Sequence, residues 1–176
     1  DAFPLAMLAT ATHDHKRGED VRARLAVPSA IPHVWRRRVE TWDELAGGKD
    51  SGVAAADRYA LYQMIYGCWP DRLQSGDREG LTAYAERLVA WQEKSLREGK
   101  LRSSWAMPDT EYETAARQFL ESRLDPARSG GLAAPIHEFV VETAGAASAN
   151  MLDQAGLHFT VPGVPDCYRG CELPDY

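Results

Sequence analysis

The chain has 176 residues, 44% hydrophobic and 26% charged, a composition typical of one globular domain rather than a disordered or fibrous chain. Its net charge of −6 disfavours a general nucleic-acid or anionic-membrane binder, and no apolar run approaches the roughly 20 residues that span a bilayer. Three cysteines are too few for a secreted disulfide framework, so we predict a cytoplasmic location.

The first predicted element is a buried strand within residues 5–12, which are mostly small and apolar and show no helical stripe. A short helix should follow, with Glu19 and Asp20 in its first turn and Pro28 at its end. Because the chain opens at Asp1 and enters the strand almost at once, we expect it to be a piece of a larger protein.

Apolar residues at three- and four-residue intervals predict a series of further helices. These lie around residues 31–45, 59–68, 81–95, 112–120 and 136–143, with a shorter one over 147–154. A second strand is predicted over Leu157–Val161, because its apolar and β-branched residues precede Pro162-Gly163.

This order predicts a mainly α fold, a helical subdomain framed by two strands. Two isolated strands leave backbone groups unpaired, so we expect the pair to be part of an incomplete (β/α)8 TIM barrel whose other strands lie elsewhere. The predicted division is a barrel strand, catalytic-site loop and following helix in residues 1–27, a helical insertion in 28–131, and barrel helices with the last strand in 132–176.

Five consecutive polar residues, His-Asp-His-Lys-Arg at 13–17, follow the first strand. The residues alone leave three interpretations open. They could form a solvated loop, or a metal site on His13 and His15, although no third ligand is evident. They could also bind a sugar, with Asp14 accepting hydrogen bonds from ring hydroxyls and offsetting the positive charge of an oxocarbenium-like transition state.

Residues 8–25, LATATHDHKRGEDVRARL, closely resemble the seventh-strand motif of the maltooligosyl trehalose synthase family, in glycoside hydrolase family 13 of the α-amylase superfamily. Two further segments are similar to the same family. The first is residues 103–113, with the sequences SSW, PD and YE. The second is residues 160–172, with the sequence TVPGVPD, and this second segment resembles the eighth strand of the family.

The resemblance implies an isomerase that converts the reducing-end α-1,4 bond of a maltooligosaccharide into an α,α-1,1 bond, with no cofactor or metal. The family uses an Asp nucleophile, a Glu acid/base and a second Asp that binds sugar hydroxyls. Asp14 matches that second Asp as a catalytic residue. His13 matches the histidine beside that Asp. Lys16 and Arg17 match the residues that hold the reducing-end glucose, and Trp105 matches a residue that lines the cleft.

The other two carboxylates have no match in this chain. The only Arg-x-Asp, at Arg123–Asp125, lacks the preceding glycine and falls where a helix is predicted to end before Pro126. We therefore expect the chain alone to be inactive, with a maltooligosaccharide and the rest of the barrel as partners. The alternatives are a stand-alone helical interaction module without catalysis, or another amylase-superfamily hydrolase, which the motif at 16–20 disfavours.

Several other features are assigned to structure rather than function. Arg36–Arg38 point around a helix and are predicted to form a solvated face. Cys167 and Cys171 lack a second ligand pair, so we predict free, buried thiols rather than a zinc site. The tryptophans at helical spacing are predicted to be core residues: Trp35, Trp42 and Trp91.

Overall fold

The computed structural model describes residues 5–13, 15, 17–128, 130–168 and 176. Within these residues the fold is mainly helical, with one strand near each end, as predicted. The elements are β1 (Met7–Ala9), α1 (Glu19–Ala30), α2 (Pro32–Leu45), α3 (Ala55–Gly67), α4 (Arg78–Gly99), α5 (Thr110–Leu124), α6 (Ala133–Thr160) and β2 (Val164–Asp166). None of the described helices has both the length and the apolar character needed to cross a bilayer.

The two strands form a parallel pair, with Met7 opposite Val164 and Ala9 opposite Asp166. β1 is shorter than predicted, and it is not buried, since Met7 is 73% exposed. A strand is buried only where neighbouring strands and helices cover both its edges and faces. Within the described residues the sheet has just these two strands, so their apolar side chains remain uncovered.

The predicted strand at Leu157–Val161 is wrong, because residues 157–160 are the last turn of α6. The two helices predicted over 136–154 are likewise one helix that continues to Thr160, where the Val161 amide still donates to the Leu157 carbonyl at 3.0 Å. The packing of α6 against α1 stabilises the helical conformation in residues whose local preference is for a strand. The strand starts only after Gly163, at Val164.

Pro28 lies inside α1 rather than at its end, and the helix runs on to Ala30. A proline has no N–H, so within a helix it leaves the carbonyl four residues earlier without its usual donor. Here that carbonyl belongs to Arg24, and the Tyr66 hydroxyl of α3 donates to it at 3.4 Å. A contact from another helix thus replaces the hydrogen bond that Pro28 removes.

The core is built around α3, whose residues Leu61, Ile65 and Tyr66 are completely buried. A helix that is apolar on most sides can be buried in this way without leaving polar side chains unpaired. Trp35 and Trp42 are also core residues, as predicted, and Trp91 packs against the same cluster from a half-buried position.

A polar group at the edge of this core joins α2 to α3. The Arg58 guanidinium donates to both carboxylate oxygens of Asp43, at 2.7 and 3.0 Å, and the Tyr62 hydroxyl donates to the same carboxylate at 2.8 Å. The hydrogen bonds from Arg58 hold the pKa of Asp43 below its ordinary value. Because paired charges of this kind are directional, they fix how α2 lies against α3.

Candidate active site

The parallel pairing places the carboxyl ends of β1 and β2 at the same edge of the sheet. The residues that follow the two strands meet there: the rings of His15 and Tyr168 contact edge to face, with centroids 6.4 Å apart. The polar segment after β1 therefore lies beside the segment after β2, although some 150 residues separate them in the chain.

His13 is exposed at this edge, and its neighbour His15 is half-buried. The Thr12 amide donates to Nδ1 of His15 at 2.8 Å, which closes a tight turn in this segment. Asp14 and Lys16, predicted as the catalytic residue and a glucose-holding residue, lie outside the described residues. The described residues of the same run, His13, His15 and Arg17, follow the end of β1.

Arg17 is half-buried and connects this edge to the helical body. Its Nε donates to the Met64 sulfur of α3 at 3.1 Å. A thioether is a weak acceptor, so this contact orients the guanidinium while competing little with the hydroxyl groups of a ligand. This contact places the Arg17 side chain against α3 at Met64.

The residues that hold β1 against the helices were not predicted from the sequence. His158, buried in the last turn of α6, contacts the Leu8 carbonyl through Nε2 at 2.8 Å, and the Arg22 side chain donates to the Thr10 carbonyl. His158 fell within the strand predicted over Leu157–Val161, so its place in a helix and its contact with β1 had no signal in the sequence. The two contacts tie Leu8 of β1 to α6 and Thr10, just after β1, to α1.

Trp105 lies in the loop between α4 and α5 and is 58% exposed, with the Arg97 guanidinium 4.9 Å from the centre of its ring. The loop is tied to the first turn of α3, where Arg102 pairs with Asp57 at 3.2 Å. Arg17 contacts α3 at Met64, seven residues further on, which corresponds to about 10 Å along the helix axis. The two predicted sugar contacts are therefore anchored toward opposite ends of α3.

The carboxylate of the Arg-x-Asp sequence is at a helix end, as predicted. α5 ends at Leu124, and the Asp125 side chain accepts from the Ala127 amide at 2.9 Å. Its exposed ion pairs, to Arg78 at 3.8 Å and Arg128 at 3.7 Å, are surface contacts. Asp125 is therefore a turn residue that follows α5, and it does not follow either of the two described strands.

The arginine run on α2 is only partly a solvated face. Arg36 and Arg37 are exposed, as predicted. Arg38 instead pairs with Glu142 of α6 at 2.7 Å, which joins α2 to α6. The sequence could not show this pair, because its members are 104 residues apart.

The cysteines also differ from the prediction. Burial raises the pKa of the Cys68 thiol to about 11, so this thiol stays protonated and unreactive at neutral pH. Cys167 is exposed rather than buried, and Cys171 lies outside the described residues. In the described part of the chain, no group of three His, Cys, Asp or Glu side chains is arranged to hold a metal ion.

Comparison with known proteins gives matches over nearly the whole chain. Proteins provisionally named maltooligosyl trehalose synthase in two strains of Mycobacterium tuberculosis are 36% identical over 173 residues, or 98% of this chain. The chain spans only 21% of their length. No family model matches the chain.

Solved structures with the same fold carry the same family name. A hypothetical maltooligosyl trehalose synthase from Sulfolobus tokodaii is 30% identical with a TM-score of 0.77, covering 91% of this chain and 21% of that one. A substitution variant of the enzyme from Arthrobacter ramosus is 28% identical with a TM-score of 0.77, covering 98% and 20%. By sequence and by fold, this chain therefore belongs to the maltooligosyl trehalose synthase family and corresponds to about one fifth of the length of its members.

Proposed function

We propose that this chain supplies the seventh and eighth strands of a glycoside hydrolase family 13 (β/α)8 barrel, together with the helical insertion between them. In this proposal residues 1–27 and 132–176 belong to the barrel and residues 28–131 to the insertion. The exposed apolar residues Met7 and Val164 support it, because further strands of a barrel would cover them. The protein carrying the chain is proposed to act in the cytoplasm.

The activity we propose is isomerisation of the reducing end of a maltooligosaccharide. The contact between His15 and Tyr168 carries this proposal, because it brings the polar segment to the carboxyl ends of two parallel strands. Catalytic side chains of (β/α)8 enzymes gather at that edge. A helical interaction module without catalysis would have no need for such an arrangement.

In the proposed reaction, a nucleophilic Asp outside this chain attacks C1 of the penultimate glucose. The bond from C1 to O4 of the last glucose breaks, and a Glu outside this chain donates a proton to O4. The released glucose then rotates within the site, so that its C1 hydroxyl faces the glycosyl-enzyme. Its own C1 hydroxyl attacks the glycosyl-enzyme and gives its proton back to the Glu, so an α,α-1,1 bond forms and the nucleophile leaves unchanged.

Four residues of this chain would assist the steps of this reaction. Asp14 would accept hydrogen bonds from ring hydroxyls and stabilise the positive charge of both oxocarbenium-like transition states, with His13 donating to a neighbouring hydroxyl. Lys16 and Arg17 would hold the released glucose while it turns and keep water away from the intermediate. The contact of Arg17 with Met64 supports this role, because it engages one N–H of the guanidinium with a weak acceptor and leaves the other donors for hydroxyl groups.

The direct test is incubation of maltopentaose with the full-length protein that carries this chain and, separately, with the chain alone. The full-length protein should consume reducing ends and form a nonreducing product of unchanged mass. The chain alone should form none, because it lacks the nucleophile and the acid/base. Product from the chain alone would contradict the proposal, and release of free glucose by the full-length protein would indicate a hydrolase instead.

A further inference from the structure

Met64 lies in the last turn of α3, where the helical body meets the polar segment that follows β1. The residue is buried, at 3% exposure, and its sulfur accepts a hydrogen bond from Nε of Arg17 at 3.1 Å. Leucine has nearly the same volume and would fill this place in the core, but it carries no acceptor. The sulfur of Met64 thus makes a contact that core packing alone does not require.

The close packing of α1 against α3 brings Arg17 to this sulfur. A Cβ atom added to Gly67 would lie only 3.1 Å from Cγ of Leu25 and 3.2 Å from Cγ1 of Val21. A larger residue at position 67 would press against α1, so the glycine permits the two helices to approach this closely. Arg17 stands two residues before α1 begins, and the close approach therefore brings its side chain within reach of Met64.

The end of α3 that carries Met64 is held in place by α4. The Tyr84 side chain of α4 is buried, and its hydroxyl donates to the Ile65 carbonyl at 2.8 Å. Carbonyls in the last turn of a helix lack donors within the helix, so this hydrogen bond satisfies one of them. The Met64 carbonyl accepts from the Cys68 amide at 2.9 Å. Because this turn is held and its side chain is buried, Met64 presents a fixed acceptor to Arg17.

The contact through Nε orients the whole guanidinium of Arg17. A guanidinium has five N–H donors in one plane, one on Nε and two on each terminal nitrogen. The group is rigid, so the positions of its terminal nitrogens follow once Nε is held against the sulfur. A planar donor group of this kind can hold two acceptor oxygens at once. Met64 thereby sets where Arg17 offers its donors to a ligand.

We propose that Met64 positions Arg17 so that the released glucose, rather than water, attacks the glycosyl-enzyme. This inference rests on the proposed function, since it needs Arg17 to hold that glucose. Water attacking C1 of the glycosyl-enzyme breaks the bond to the nucleophilic Asp and gives its proton to the Glu carboxylate, which leaves a shortened maltooligosaccharide and free glucose. Both outcomes start from one intermediate, so their ratio depends on how well Arg17 holds the glucose in place.

The test measures the free glucose and the nonreducing product that the full-length protein forms from maltopentaose. Met64→Leu keeps the side-chain volume and removes the acceptor, a change that cores tolerate well. The ratio of free glucose to nonreducing product should rise about fivefold, the effect of losing one hydrogen bond of modest strength. Ile65→Leu is the matched control. It changes the shape of an equally buried side chain of α3 that points about 100° away around the helix axis, and should leave the ratio within about twofold of the wild type.

A double-mutant cycle shows whether Met64 acts through Arg17. In an Arg17→Ala background, Met64→Leu should not change the ratio further, because no guanidinium is left to position. An equal rise in both backgrounds would mean that leucine only disturbs the core, and would overturn the inference. An unchanged ratio in Met64→Leu alone, in an enzyme that isomerises maltopentaose, would overturn the inference and leave the proposed function standing. A wild-type protein that releases glucose without nonreducing product would contradict the proposed function itself, and the inference with it.

Discussion

Replacing Asp14 by alanine in the full-length protein is expected to remove about 3 to 5 kcal/mol of transition-state stabilisation. This corresponds to a loss of about 150-fold to about 5,000-fold in kcat/KM. A carboxylate that is already in place costs no reorganisation when positive charge develops on the sugar, and neither water nor a methyl group can replace it. The measurement is the initial rate of nonreducing product formation from maltopentaose.

Asp125→Ala provides the matched control. It also removes one carboxylate, but from a turn at the end of α5 where the side chain makes only exposed ion pairs and a local hydrogen bond. We expect its kcat/KM to remain within about twofold of the wild type. Normal turnover by Asp14→Ala would remove the basis of the proposed mechanism.

Replacing Arg24 by methionine should lower the free energy of unfolding by about 3 kcal/mol. The side chain is buried, at 4% exposure, and donates to the carbonyls of Trp69, at 2.6 Å, and Gly67, at 3.3 Å. These carbonyls lie at and just beyond the end of α3, where the helix itself offers no donor. The Arg24 guanidinium supplies that donor, and methionine would leave both carbonyls unsatisfied.

Methionine keeps the apolar stem of Arg24 but removes all contacts of the guanidinium, which include an ion pair with Asp71 at 3.0 Å and a contact with the Tyr176 ring. Arg36→Met is the control, because Arg36 is exposed on α2 and its replacement should cost less than about 0.5 kcal/mol. Urea unfolding followed by circular dichroism measures both. An effect of Arg24→Met no larger than that of the control would show that the end of α3 does not depend on Arg24.

The helices could be predicted because their signals are local. The apolar stripe of α2 lies within one segment, and the structure confirms the helix, with Trp35 and Trp42 in the core. The position of β2 could not be predicted in this way. Residues 157–160 favour a strand locally, but the packing of α6 and the contact of His158 with Leu8 extend the helix.

The candidate site was predictable to a similar extent. The polar run at 13–17 and its place after a strand follow from the sequence, whereas the contact of His15 with Tyr168 depends on the pairing of two distant strands. The position of Trp105 was also beyond sequence reasoning. It depends on ion pairs between residues far apart in the sequence, such as Arg102 with Asp57, and such pairs produce no periodic pattern from which they could be predicted.

The measurement that most directly tests this account is a crystal structure of the full-length protein with a bound maltooligosaccharide. It should show the Asp14 carboxylate within roughly 2.6–3.2 Å of hydroxyl oxygens on the glucose beside the scissile bond, with Arg17 close to the reducing-end unit. An oligosaccharide bound elsewhere, with the Asp14 side chain turned away from it, would contradict the account.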